Sequence, residues 1–296
     1  MWGDYLFPQS VEEALEILHA HGGEARVIAG GTDLALQSQR GRVQARVMVD
    51  ITRIPNLDRI EEEEGYIYIG AQATHAQVAA SPLIRSRAGV LARACGSVGG
   101  PQIRNVGTLA GNVVNTLPAA DGAIGLFALG AEAEVAERAG RRWVPIEGLY
   151  AGVGRCTVDS CEAMITQLRF PALGDGEASA FERLAKRKAL ILPILNTGVV
   201  VGLGKGKVQR ARIAIGPVAT TPFVAADAAE FMVGAAPSVA TAAEAATLAA
   251  QAAQPRYSLL RGSAEYRKTM VEVLVRRALT RALALASGEE GADADA

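Results

Sequence analysis

The segment that most constrains the fold is Arg26 to Leu34, where a short apolar strand, Arg26 to Ala29, breaks at the paired glycines Gly30-Gly31. Leu34 to Arg40 then reads as a helical or loop segment, and Val47 to Ile51 as a second, buried strand. Strand, glycine turn and helix in that order put the turn at the end of a parallel strand, where α/β proteins place ligands. Just upstream, Ser10 reads as an N-cap and Glu13, three residues on, as its capping-box partner. Val11, Ala14, Leu15 and Leu18 recur at helical spacing until Gly22-Gly23 ends the run. The start is therefore expected to be a compact βαβ unit.

At 296 residues, half of them hydrophobic, the chain can bury two packed units, since domains run to roughly 100–200 residues. The net charge of −1 supplies no field for nucleic acid or an anionic membrane surface. Cys95, Cys156 and Cys161 are an odd number at spacings that match no zinc site, and a disulfide framework would use more of them. With no basic and apolar leader after Met1, a reducing cytoplasm is the expected setting. The alanine-rich stretch Ala225 to Ala253 is broken by Asp227, Glu230, Pro237 and Glu244, so no membrane span is expected there.

Beyond Leu57 the pattern changes. Tyr66 to Gly70 predicts a strand after an acidic turn, Glu61 to Glu64, and Val78 to Ala94 predicts two helical stretches. A long loop rich in Gly, Pro and Asn is expected from Gly96 to Asp121, followed by strands at Ala131 to Val135 and Met164 to Phe170. Loops that long inside a domain are usually functional. Gly174 to Glu177 reads as a domain boundary. After it come a two-stranded unit, Gly198 to Leu203 and Val208 to Ile215, and two helices, Val239 to Ala253 and Ala264 to Ala286. The small, acidic stretch Ser287 to Ala296 is expected to be disordered.

Two motifs carry chemistry. In Ile28-Ala29-Gly30-Gly31-Thr32-Asp33-Leu34, paired glycines let a ligand approach the main chain, and successive N–H groups can cradle phosphate oxygens. A plain strand-ending turn is the alternative for Gly-Gly alone. The second motif runs Arg104-Asn105-Val106-Gly107-Thr108-Leu109-Ala110-Gly111-Asn112, then through Val113 to Ala120 and on to Asp121. It brings hydroxyl, amide, bare backbone and an acid together, the variety that an extended dinucleotide such as FAD requires. Val106, Leu109, Val113 and Val114 anchor it, against the alternative of an irregular surface loop. Gly202 to Lys207 lacks phosphate-loop spacing and reads as a hairpin turn. His19, His21 and His75 receive no catalytic or metal role.

In wording, order and separation the two motifs resemble the FAD-binding subunits of molybdenum hydroxylases. That family includes the medium subunit of carbon monoxide dehydrogenase, the FAD domain of xanthine dehydrogenase and the flavin subunit of hydroxybenzoyl-CoA reductase. Gly262 to Lys268, continuing through Val273 to Leu279, is similar to the family's closing helix. The resemblance runs from about Phe7 to Ala286.

The resemblance implies an α+β fold. An N-terminal βαβ unit and a mixed middle subdomain form a two-lobed FAD-binding domain over residues 1–174, followed by a C-terminal antiparallel sheet with helices over 175–286. It implies that Ala29 to Leu34 match the first pyrophosphate loop, with Ile28 leading into it, that Thr108 to Asn112 match the second, and that Asp121 matches the acid after it. Val98 and Ile165 match positions lining the flavin. Phe181 to Lys188 resembles the segment beside the isoalloxazine, with Glu182 or Arg183 near the place of a lysine that often touches FAD. Ile191 falls near the loop shielding the flavin edge.

Where the family usually has two glycines this chain has Ala110-Gly111, so if Ala110 approaches the flavin phosphates its methyl is expected to weaken or shift FAD binding without abolishing it. The family's enzymes are complexes, implied here as a dimer of heterotrimers. A large subunit holds molybdenum–pterin, a small one holds [2Fe-2S] clusters, and the flavin subunit passes electrons to an external acceptor. With three cysteines and no insert between Ala120 and Glu134, no cluster is expected in this chain itself. Two rival functions are a stand-alone FAD oxidoreductase, which would need its own acid–base group, and a non-catalytic FAD-binding assembly protein.

Overall fold

The computed structural model describes residues 3–259 and 261–289. Its first lobe is built from β1 (Asp4–Leu6), α1 (Val11–Ala20), β2 (Ala25–Ile28), α2 (Leu34–Gln39) and β3 (Val47–Asp50). The strands form a parallel sheet in the order β1-β3-β2. The central strand β3 is buried along its whole length, as strands covered on both faces are. Ser10 caps α1 by accepting from the Glu13 N–H, but the Glu13 carboxylate reaches back one residue further, to the Gln9 N–H at 2.7 Å.

The middle lobe contains the hairpin β4 (Ile60–Glu63) and β5 (Tyr66–Gly70), then six helices: α3 (His75–Ala80), α4 (Pro82–Arg87), α5 (Gly89–Gly96), α6 (Pro101–Arg104), α7 (Leu109–Val114) and α8 (Asp121–Leu129). β6 (Glu132–Glu137), β7 (Gly140–Pro145), the small pair β8 (Tyr150–Gly152) and β9 (Arg155–Cys156), and β10 (Met164–Pro171) follow. The main sheet is antiparallel in the order β4-β5-β10-β6-β7.

Three expectations are corrected in this lobe. Most of the acidic segment is strand β4, and only Glu64 and Gly65, both at positive φ, form its turn. Three helices, not two, cover the segment up to Gly96, because Pro82 and Ala88 break the run. The expected loop from Gly96 to Asp121 contains α6 and α7, which are too short to show an apolar period.

The C-terminal part holds β11 (Glu177–Leu184), β12 (Leu195–Gly204), β13 (Lys207–Gly216) and β14 (Phe223–Val224), with α9 (Ala226–Met232), α10 (Val239–Ala252) and α11 (Ala264–Ala286). The strands are antiparallel in chain order, and Lys205 and Gly206, both at positive φ, make the hairpin turn. Side chains alternate across a strand, so β12 serves two cores. Val199 and Val201 join the core of α9, α10 and α11, while Val200 joins that of the middle lobe. Gly198 faces the middle lobe at close quarters, where an added Cβ would meet Val90 and Ala128 at 3.0 Å. Among the described residues no helix is long and apolar enough to cross a membrane.

The stretch expected to be disordered begins with order. Gly288, at positive φ, and Glu289 close α11 by donating to the carbonyls of Leu285 and Ala284, the pattern of a Schellman cap. Residues 290–296 lie outside those described.

Candidate flavin site at the meeting of two loops

The glycine turn after β2 packs directly on the second motif. A Cβ on Gly30 would sit 2.0 Å from the Val106 carbonyl oxygen, so only glycine permits this contact. Gly31 adopts φ +64, which turns the chain into α2. On the other side, the second motif is pinned to the start of α3. The Thr74–Thr108 bridge, the His75 N–H to Gly107 carbonyl bond and the Leu109 N–H to Ala73 carbonyl bond, both 3.0 Å, fix it there. Thr108 caps α7 by accepting from the Gly111 N–H. Gln37 of α2 donates to the Asn115 side chain at 3.0 Å, and Asn112 accepts from the Ala123 N–H at 3.2 Å. The first loop, the second loop and the start of α8 thus form one connected surface.

That surface has spare donors. Among the described residues, the N–H groups of Gly31, Thr32 and Asp33 have no protein acceptor, and neither does that of Ala110. Adjacent free N–H groups beside a side-chain-free approach suit a pyrophosphate. These two features make the residues a fit for an extended dinucleotide. His75 adds a third: buried between Gly107 and Gly122, it has an Nδ1 atom without a partner among the described residues. Burial first, and then the Arg104 charge, hold its imidazole down at about 4, so it is neutral.

At the far end, Asp121 opens α8 and is buried. The alternation of β11 and β12 turns Arg183 and Asn196 toward it, while Glu182 takes the opposite face of β11. Arg183 donates to the Asp121 carboxylate at 3.1 Å, and Asn196 at 2.7 Å. The same guanidinium donates to the Ile191 carbonyl at 2.5 Å, tethering the loop between β11 and β12. Burial raises the Asp121 carboxyl to about 6, opposed by the Arg183 charge and by hydrogen bonds from Asn196 and Arg183.

The residues singled out in the sequence take distinct positions. Ile28 is buried at the end of β2, Ala29 to Asp33 form the turn, and Leu34 starts α2. Val98, half-buried after α5, offers its carbonyl to Arg104. Leu109 and Ala110 are buried in the first turn of α7, while Gly111 is exposed. Ile165 is buried on β10 opposite Val135, beside a bulge. Ala110 has helical backbone, so its methyl imposes no strain there. The sequence reading assigned nothing to His75, Asn196, Gln37 or Asn115; the Thr74 and Gln77 capping box ahead of an apolar stretch was the available signal for His75.

Comparison with known proteins places this geometry. Residues 2–173 match the FAD binding domain in molybdopterin dehydrogenase, and residues 180–282 match the CO dehydrogenase flavoprotein C-terminal domain. The chain is 32% identical over 284 residues to the carbon monoxide dehydrogenase medium chain of Hydrogenophaga pseudoflava, covering 95% of this chain and 97% of that one. It is 32% identical to the nicotinate dehydrogenase FAD-subunit of Eubacterium barkeri, covering 78% of this chain and 80% of that one. The solved structure of the Hydrogenophaga pseudoflava carbon monoxide dehydrogenase lacking the Mo-pyranopterin moiety superposes with a TM-score of 0.89 at 31% identity, covering 96% of this chain and 98% of that chain. The chain belongs to the family of FAD-binding subunits of molybdopterin dehydrogenases and is a flavoprotein oxidoreductase subunit of that family.

Proposed function

We propose that this chain is the electron-transfer subunit of a heteromeric molybdenum hydroxylase or dehydrogenase in the cytoplasm. In this reading it stands between the [2Fe-2S] clusters of a small partner subunit and an external electron acceptor. Oxidation of the substrate takes place at a molybdenum–pterin cofactor on a large partner subunit, and the assembly is a dimer of heterotrimers. The observation that carries the reading is the packing of Gly30 onto the second motif beside the free N–H groups of Gly31, Thr32 and Asp33. When bound, FAD supplies redox chemistry that couples one-electron to two-electron carriers.

This chain's residues supply position and field. Ala29 to Leu34 and Thr108 to Asn112 hold the pyrophosphate and sugar portions, with Ile28 backing the first loop. Asp121 and Arg183 sit toward the ring end, with Val98 and Ile165 lining it. Residues 1–174 act as the FAD-binding domain and 175–286 as the flavoprotein C-terminal domain. The arginine tether to Ile191 orients the loop expected to shield the flavin edge. No residue of this chain is assigned acid or base work on the substrate.

Purification from source cells tests the assembly. Two further chains carrying molybdenum and iron are expected to elute with this one, in constant ratio. Elution alone, with full FAD and no metal, would contradict the proposal.

A further inference from the structure

A cavity of about 250 Å³ opens where the segments before α8 meet the C-terminal part. None of the residues 28–34, 98 or 108–112 lines it. Leu117, Pro118 and Val218 make an apolar floor, and Arg256, Arg261 and Arg267 line the rest along with Tyr257 and Ser258. Among the described residues no carboxylate lines it, and none of the three arginines forms an ion pair.

Arg267 is the most telling of the three. It is only 3% exposed, and its guanidinium donates to the carbonyls of Arg256, at 2.8 Å, and Pro217. Its Nε atom has no partner among the described residues. Burial, and then the like charge of Arg261, lower its affinity for the proton, and burial alone does the same for Arg261. A buried cation without a counter-charge is costly, and carbonyl dipoles offset only part of that cost. An oxyanion in the cavity would offset the rest, and the planar guanidinium fork matches carboxylate and phosphate geometry.

We propose that this cavity binds a small organic anion, a carboxylate or phosphate ester carried on a compact apolar body. The floor selects for the body and the arginines for the head group. Size agrees: a cavity of roughly 150 Å³ holds benzene, so this one has room for a ring and its head group. Ala119 and Leu192 also line the cavity, and they adjoin the Asp121–Arg183 cluster through the Ala119 carbonyl that Asn196 approaches and through Ile191. The anion site therefore shares a wall with the flavin end without using the flavin loops.

Calorimetric titration of the FAD-loaded chain with benzoate, phenyl phosphate and the uncharged benzamide tests this. Saturable binding of benzoate or phenyl phosphate is expected, with no binding of benzamide. Arg261→Gln and Arg256→Gln are expected to weaken it by roughly tenfold or more, as loss of a charge-assisted hydrogen bond does. Both variants should keep the parent's melting temperature and flavin content. No saturable binding of either anion would overturn the proposal, as would benzamide binding equally or both variants binding like the parent. If the chain takes up no FAD, the same titration on the FAD-free chain still decides the anion site, separately from the flavin reading.

Discussion

His75 packs against Gly122, next to Asp121 at the start of α8, and burial shifts the two groups in opposite directions. Held neutral at about 4 instead of 6.5, His75 adds stability that is present above 6.5 and is lost as pH falls toward 4. Asp121, raised from 3.8 to about 6, works in reverse: its contribution is present below 3.8 and is lost as pH rises through 6. Urea midpoints across this window are expected to fall more steeply with rising pH in His75→Gln, because only the Asp121 slope remains. In Asp121→Asn they should fall more steeply with falling pH. Parallel profiles for parent and variants would contradict both assignments. Gly30 has no room for a side chain. Its replacement by alanine drives a methyl into the Val106 carbonyl and should cost about 1–3 kcal/mol, together with FAD uptake, in melting and flavin-titration experiments. Ala110→Gly, inside α7, should cost about 0.5–1 kcal/mol and leave FAD uptake unchanged. Stronger FAD binding by that variant would instead support the expectation drawn from the family's two glycines.

Among the elements, β11, β12 and α8 are joined by the Asp121–Arg183–Asn196 cluster. The carboxylate and guanidinium side chains are only 6% and 11% exposed. Arg183→Ala leaves a buried acid without its partner and should destabilise the fold by about 3–5 kcal/mol in denaturant titration. Asp121→Asn combined with Arg183→Met should recover most of that loss. A double variant as unstable as the single one would mean that the cluster acts through packing alone. The cluster also marks where sequence reading stops. Asp121 and Arg183 are legible one by one in their motifs, but their contact spans 62 positions and depends on strand alternation. Strands β5 and β13 and helices α1, α10 and α11 are long enough to show their period. The short helices α6 and α7 are not, and their glycines and prolines imitate a loop. In β4, three consecutive glutamates hide an edge strand, which tolerates charge because its side chains face water.

Among the described residues, two hydrophobic cores share the sheet β11 to β14, one on each face. The shift in pattern near Gly174 is visible in sequence, but the shared sheet is not, because both faces of β12 are apolar and no polar alternation reveals what covers them. The two candidate loops pack in the first core, and Arg183 reaches from the sheet to Asp121 at the start of α8. Whether these loops hold FAD is read from the absorbance spectrum of the purified chain before and after acid release of its chromophore. A flavin spectrum and released FAD, equimolar with protein, are expected, with their loss in Gly30→Ala. A colourless chain that also fails to take up added FAD, or one that releases FMN, would contradict FAD binding by these loops.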